Sequence, residues 1–180
     1  MTERTTEAGR RGAGGSLLTD EVRALRGRTK VYTAPEPFGA AAGRYFGLAI
    51  GDDNPLYSDP EYARAHGLPG VTVPLTLVCE TNQYAGLPMD QDGYAGHTWD
   101  LHIPGTRQVR GGNSYVFHRR IRPEDVITAT WRIEDVTEKV TGSGHPMLII
   151  TSKADYTNQD GELLAENTET IIFVALEPSS

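Results

Sequence analysis

The 180-residue sequence has a single cysteine, no positive charge excess and no long apolar run. Each absence excludes something. Cys79 alone cannot close an internal disulfide, so a reducing compartment is the natural home. No stretch approaches the roughly 20 apolar residues needed to span a bilayer, which argues against a membrane partner. Residues 1–15 hold arginines and glycines but no apolar segment of the kind a secretory signal requires. A cytoplasmic protein is the expectation. The formal charge of −7 argues against nucleic acid, whose binders carry a basic face, while leaving room for a local basic patch.

What is present fits one domain of ordinary size. Hydrophobic residues make up 38% and charged residues 23%, the balance of a chain that buries a core. The expected organisation is a polar, Gly-rich tail over 1–15, a domain over 16–176 and a short tail over 177–180.

Helix signals fill the first half. Thr19 can cap a short helix over Asp20 to Arg26, with Asp20 and Glu21 at its positive end and Gly27 as its stop. "TKVYTA" reads as a strand. Pro37 opens the small-residue helix "FGAAAGRYFGLAIG", which ends at Gly51. The three glycines inside it cost about 1 kcal/mol each against alanine, which points to close packing or to an irregular helix. Asp59 and Pro60 start another helix, ended by Gly67. "PLTLVCETNQYA", from Pro74 to Ala85, reads as a longer apolar helix, followed by a loop from Gly86 to Asn113.

The last third reads as strands. "SYVFHRRI", "VITATWRIEDVTEKV", "MLIITSKADYT" and "LLAENTETIIFVAL" are rich in β-branched and aromatic residues, and "NQDG" is a hairpin signal. Helices first and an antiparallel meander after them make an α+β arrangement.

Asp52 and Asn54 lie in "GDDNPLYSD", where spacing alone reads as a turn in which both side chains bond their own backbone. His97 and His102 flank Trp99 and Asp100 but lack a supporting ligand cluster, so they read as solvated or hydrogen-bonded histidines rather than metal ligands. Cys79 reads as a packing residue, having no neighbour that would lower its pKa. Arg107, Arg110, Arg119, Arg120 and Arg122 form the basic concentration. Alternation sends Arg120 and Arg122 to one strand face and Arg119 to the other, as a solvated face or a phosphate contact.

The stretches "AIGDDNPLYSDPEYARAHGLPGVTVP", "SYVFHRRIRPEDVITATWRIEDV" and "YTNQDGELLAENTETIIF" together resemble the MaoC-like hydratase/dehydratase group of the hot-dog fold. They are most similar to the stand-alone form of its N-terminal dehydratase-type half. The resemblance implies a long central helix, here Pro74 to Ala85, wrapped by an antiparallel sheet. It also implies a homodimer, or a heterodimer with a second MaoC-like chain, that binds an acyl-CoA or acyl-carrier-protein thioester without cofactor or metal. The family reaction adds water reversibly to a trans-2-enoyl thioester. An Asp and a His hold that water, and backbone amides at the helix start bind the thioester oxygen.

Residue by residue, Asp52 takes the family's Asp position, and Asn54 and Pro55 match its "NP". Its His falls on Tyr57, a donor whose ordinary pKa near 10 makes it a poor base. His66 is near in sequence but belongs to the next helix. The family's His-Gly falls on Val73-Pro74, and proline has no N–H, which leaves Leu75 N–H as the oxyanion donor. Three functions follow from the resemblance: a hydratase/dehydratase acting as a homodimer or as one subunit of a two-chain enzyme, a non-catalytic thioester-binding subunit, or a hot-dog thioesterase.

Overall fold

The structure is a computed structural model that describes residues 16–78 and 82–176. The two terminal tails and Cys79 lie outside the described residues. Five antiparallel strands form one sheet in the order β1-β3-β4-β5-β2. They are β1 (Thr29–Thr33), β2 (Thr106–Phe117), β3 (Thr128–Val140), β4 (Pro146–Thr157) and β5 (Leu163–Ala175). β3, β4 and β5 follow one another through tight turns, so neighbours in sequence pair in space. β2 then pairs with β5 along the far edge.

The strand interiors alternate as period two requires. In β4, Leu148, Ile150, Ser152, Ala154 and Tyr156 are buried, and in β5 Asn167, Glu169, Ile171 and Phe173 are. Trp99, Trp131, Ile133 and Val73 join them in one core. A second, small cluster of Leu56, Tyr57 and Ala63 stands apart from it.

Three helices precede the sheet's long strands. α1 (Asp20–Arg23) is capped by Thr19, whose hydroxyl accepts the Val22 N–H at 3.3 Å. It stops three residues short of the expected Arg26, and the chain turns at Gly27 with φ +84. α2 (Gly39–Ile50) ends at Gly51 in the left-handed region, as expected. α3 (Pro60–Ala65) has Asp59 accepting the Glu61 and Tyr62 N–H groups at 2.8 and 3.0 Å.

Three expectations need correction. The helix over Pro74 to Ala85 is absent from the described residues, which hold 3-10 turns at Leu75–Val78 and Asn82–Tyr84 instead. Long-range bonds hold the second turn: Trp131 Nε1 donates to Tyr84 Oη at 3.1 Å, and the Asn82 amide donates to the Glu36 carbonyl. Thr76, Val78 and Asn82 are weak helix formers, so local propensity offers little resistance. Second, β2 begins at Thr106, inside the expected loop, and a register shift between Arg110 and Gly112 passes the Gly-Gly pair through it. A Cβ at Gly111 would lie 2.9 Å from Thr170 Cγ2, so the close strand approach requires glycine there. Third, β2 ends at Phe117, so Arg119, Arg120 and Arg122 do not alternate across a strand.

Candidate functional site

α2 organises the predicted residues. Gly43 and Gly47, one turn apart, are its two buried positions. A Cβ at Gly43 would lie 2.6 Å from Val73 Cγ1, and one at Gly47 would lie 2.9 Å from the Asp52 carbonyl oxygen and 3.2 Å from Tyr57 Cδ2. The missing side chains let the segment at Val73 and the turn at Asp52 and Tyr57 press against one helix face. The helix glycines are thus explained by close packing. Positions four residues apart on a helix face lie about 6 Å apart. The structure therefore brings Val73 onto the same side of α2 as the turn that carries Asp52 and Tyr57.

Backbone bonds fix the acid. Asp52 N–H donates to the Gly47 carbonyl at 2.8 Å, closing the helix end. Asp52 Oδ1 accepts the Asn54 N–H at 3.2 Å, and Asn54 Oδ1 accepts the Leu56 N–H at 3.1 Å. Asn54 thereby caps the 3-10 turn Pro55–Tyr57, which carries Tyr57 back over the acid. Tyr57 Oη then donates to Asp52 Oδ2 at 2.9 Å.

Tyr57 is 8% exposed. Burial, and after it the hydrogen bond and charge of Asp52, push its phenol up to about 12, against a small opposing pull from Arg120. The phenol keeps its proton at neutral pH and acts as a donor. Asp52, half-buried, spends one oxygen on a backbone N–H and the other on this phenol. The pair is a carboxylate pinned by a backbone N–H and a phenol. His66 is engaged elsewhere: its Nδ1 lies 2.8 Å from the Tyr62 carbonyl, and its ring packs over Tyr62 at 4.1 Å.

The segment facing Gly43 is equally fixed. Val73 is fully buried and its N–H donates to the Ile121 carbonyl at 3.0 Å. That N–H is therefore committed. Pro74 offers none, and its carbonyl accepts the Leu77 N–H at 3.0 Å. Leu75 opens the next turn.

The arginines separate. Arg119 grips Asp125 with two N–H groups at 2.9 Å each and reaches Glu162 at 2.8 Å. Burial pushes the Asp125 carboxyl up, but bonds from Arg119, the Arg122 N–H and Asn158 outweigh it and hold it below the ordinary range. This network ties the β2–β3 connection to the β4–β5 hairpin. Arg110 pairs with the buried Glu169 at 2.5 Å.

Cavities of about 860 and 640 Å³ lie elsewhere among the described residues, the larger beside the first turn of α2 at Phe38 and Ala42, and neither is lined by Asp52, Tyr57 or residues 73–75. His97 lines both. It is buried, hydrogen-bonded to Tyr32 at 3.1 Å and stacked on Trp131 at 4.1 Å, while His102 is exposed. Burial above all, with Lys30 and Arg110 nearby, lowers its pKa to about 3, so the ring is neutral. No group of three His, Cys, Asp or Glu residues is placed to hold a metal among the described residues. Asn167 and Glu169, which also line the larger cavity, were missed from sequence. Their signal was polar residues at the inward positions of "LLAENTETIIFVAL".

One antiparallel sheet and a short helical layer define a hot-dog protein. The family model described as "FAS1-like, dehydratase domain region" matches residues 30–167, and the chain belongs to that family. A UPF0336 protein of Parafrankia sp. is 31% identical over 150 residues, covering 82% of this chain and 91% of that protein. Among solved structures, the ChsH1-ChsH2 complex from Mycobacterium tuberculosis is similar with a TM-score of 0.68 at 22% identity, covering 89% of each chain. The C-terminally truncated HadBC (3R-hydroxyacyl-ACP dehydratase) complex of the same organism is similar with a TM-score of 0.57 at 27% identity, covering 82% of this chain and 96% of that one. No helix among the described residues is long and apolar enough to cross a membrane.

Proposed function

We propose that this chain is the catalytically incomplete subunit of a two-chain enoyl-thioester hydratase/3-hydroxyacyl-thioester dehydratase. The observation that carries the reading is the Tyr57–Asp52 hydrogen bond, with a phenol where the resemblance implies a histidine. A phenol pushed up to about 12 cannot take a proton from water at neutral pH. The two similar complexes support the reading, since each is named for two chains and one is a dehydratase.

In the proposed assembly a second MaoC-like chain supplies an Asp/His pair. That pair takes one proton from a bound water, hydroxide adds to the β-carbon, and the proton is delivered to the α-carbon. This chain shapes the acyl-thioester cleft, and Leu75 N–H is its available oxyanion donor. Asp52 and Tyr57 act as a rigid wall.

The test is hydration of crotonyl-CoA by the purified chain and by the chain co-expressed with a MaoC-type protein that has its histidine. The expected result is inactivity alone and turnover in the pair. Robust hydration by the pure chain would sink the proposal and restore Asp52 and Tyr57 as a working site.

A further inference from the structure

The larger cavity has a feature that the thioester reading leaves unexplained. It spans about 860 Å³, within the range of sites that take a drug-sized molecule. Its wall carries the rings of Tyr84, Trp131 and Tyr156. Three buried polar atoms in the same wall have no hydrogen-bond partner: Asn82 Oδ1, His97 Nε2 and Asn167 Oδ1. His97 is 7% exposed and Asn167 1%. A buried polar group left unpaired costs free energy, so such atoms in one cavity wall imply a ligand that satisfies them.

Their chemistry selects that ligand. The Asn82 amide nitrogen donates to the Glu36 carbonyl, and that of Asn167 donates to Asn113 Oδ1 at 3.1 Å. Both side-chain oxygens are therefore left as acceptors. His97 Nδ1 is engaged with Tyr32 Oη, so Nε2 is a donor in one tautomer and an acceptor in the other. Arg110, the one Lys or Arg among the described lining residues, is paired with Glu169, so an anion would compete with that carboxylate. A hydroxyl has one proton to give and lone pairs to accept with, so it donates to one of the two side-chain oxygens and, in the tautomer that carries the proton on Nε2, accepts from His97. The aromatic wall suits a flat apolar body.

We propose that this cavity binds an uncharged ring compound bearing a hydroxyl group. That ring arrives either as a free molecule or as the acyl part of a thioester, and only the second source rests on the proposed function.

The test is calorimetry with a matched series: para-hydroxybiphenyl, para-methoxybiphenyl and biphenyl. Saturable binding of para-hydroxybiphenyl is expected, with a Kd about 10-fold below that of para-methoxybiphenyl, the size of one well-made buried hydrogen bond. In Asn167→Leu the preference should shrink to less than about 3-fold. Equal affinities on the unaltered chain, or no saturable binding, overturn the proposal whether or not the variant folds. Competition by para-hydroxycinnamoyl-CoA, against cinnamoyl-CoA, distinguishes the sources. Displacement by the hydroxylated thioester assigns the cavity to the acyl group. If neither thioester binds while the free phenol keeps its preference, the cavity site stands and the thioester reading falls.

Discussion

Tyr57 and His97 are two buried titratable side chains driven in opposite directions by the same physics. Burial disfavours charge, so the phenol is held protonated and the imidazole unprotonated. If the phenol is what disables the site, Tyr57→His in the isolated chain should raise crotonyl-CoA hydration by about 100-fold or more, the usual contribution of an acid–base group. A folded variant with no gain would show that Tyr57 is not the lesion. For His97, the folded pKa of about 3 lies below the ordinary imidazole value of 6.5. The unfolded chain therefore binds the extra proton between those values, and the stabilisation, complete above pH 6.5, is lost as pH falls toward 3. Urea titrations at pH 7 and pH 5 should show His97→Gln losing less stability on acidification than the unaltered chain, by about 2 kcal/mol. Identical losses would place the ring in a more solvated setting.

At the scale of elements, α2 carries the clearest energetic consequence. Alanine at Gly43 or Gly47 would gain about 1 kcal/mol of helix propensity. Each new methyl would enter space held by fully buried Val73 or by the Asp52 backbone, and overpacking costs about 1–3 kcal/mol. Both variants should therefore melt lower, and Gly47→Ala should also disturb the Asp52–Tyr57 bond, readable as a fall in the Tyr57 pKa. A rise in melting temperature for either would mean that the helix sits farther from its neighbours.

The elements legible in the sequence were those set by local chemistry. Thr19, Asp59 and Gly51 mark helix ends through their own side chains or conformational freedom, and β3 to β5 follow β-branched runs joined by short turns. What stayed hidden was set at long range. "TRQVRGGN" has no strand signal of its own and is a strand because β5 pairs with it. Leu75–Val78 and Asn82–Tyr84 belong to a helical pattern in the sequence but form 3-10 turns, the second held by bonds to Glu36 and Trp131. For the site, the order of "GDDNP" exposed Asp52 and its turn, whereas the contact with Tyr57 needed the glycine stripe to close it.

For the whole molecule, the open sheet is the governing feature. β1 and β2 are edge strands, and β2 is 12 residues long with Val116 half-exposed upon it. A long edge with unpaired N–H and C=O groups invites a neighbouring strand. Light scattering is expected to give a particle larger than the 19.6 kDa chain once a MaoC-type partner is co-expressed. Val116→Lys should return it toward the monomer mass without lowering the melting point of the isolated chain. An unchanged particle would move the contact elsewhere.

Trp99 and Trp131 are the chain's two indoles, 2% and 4% exposed, and both touch the ring of His97. Their emission will be blue-shifted, slow to respond to acrylamide, and sensitive to anything that settles beside that imidazole. The protein thus has a built-in optical gauge of whether its hollow is occupied, needing neither dye nor label.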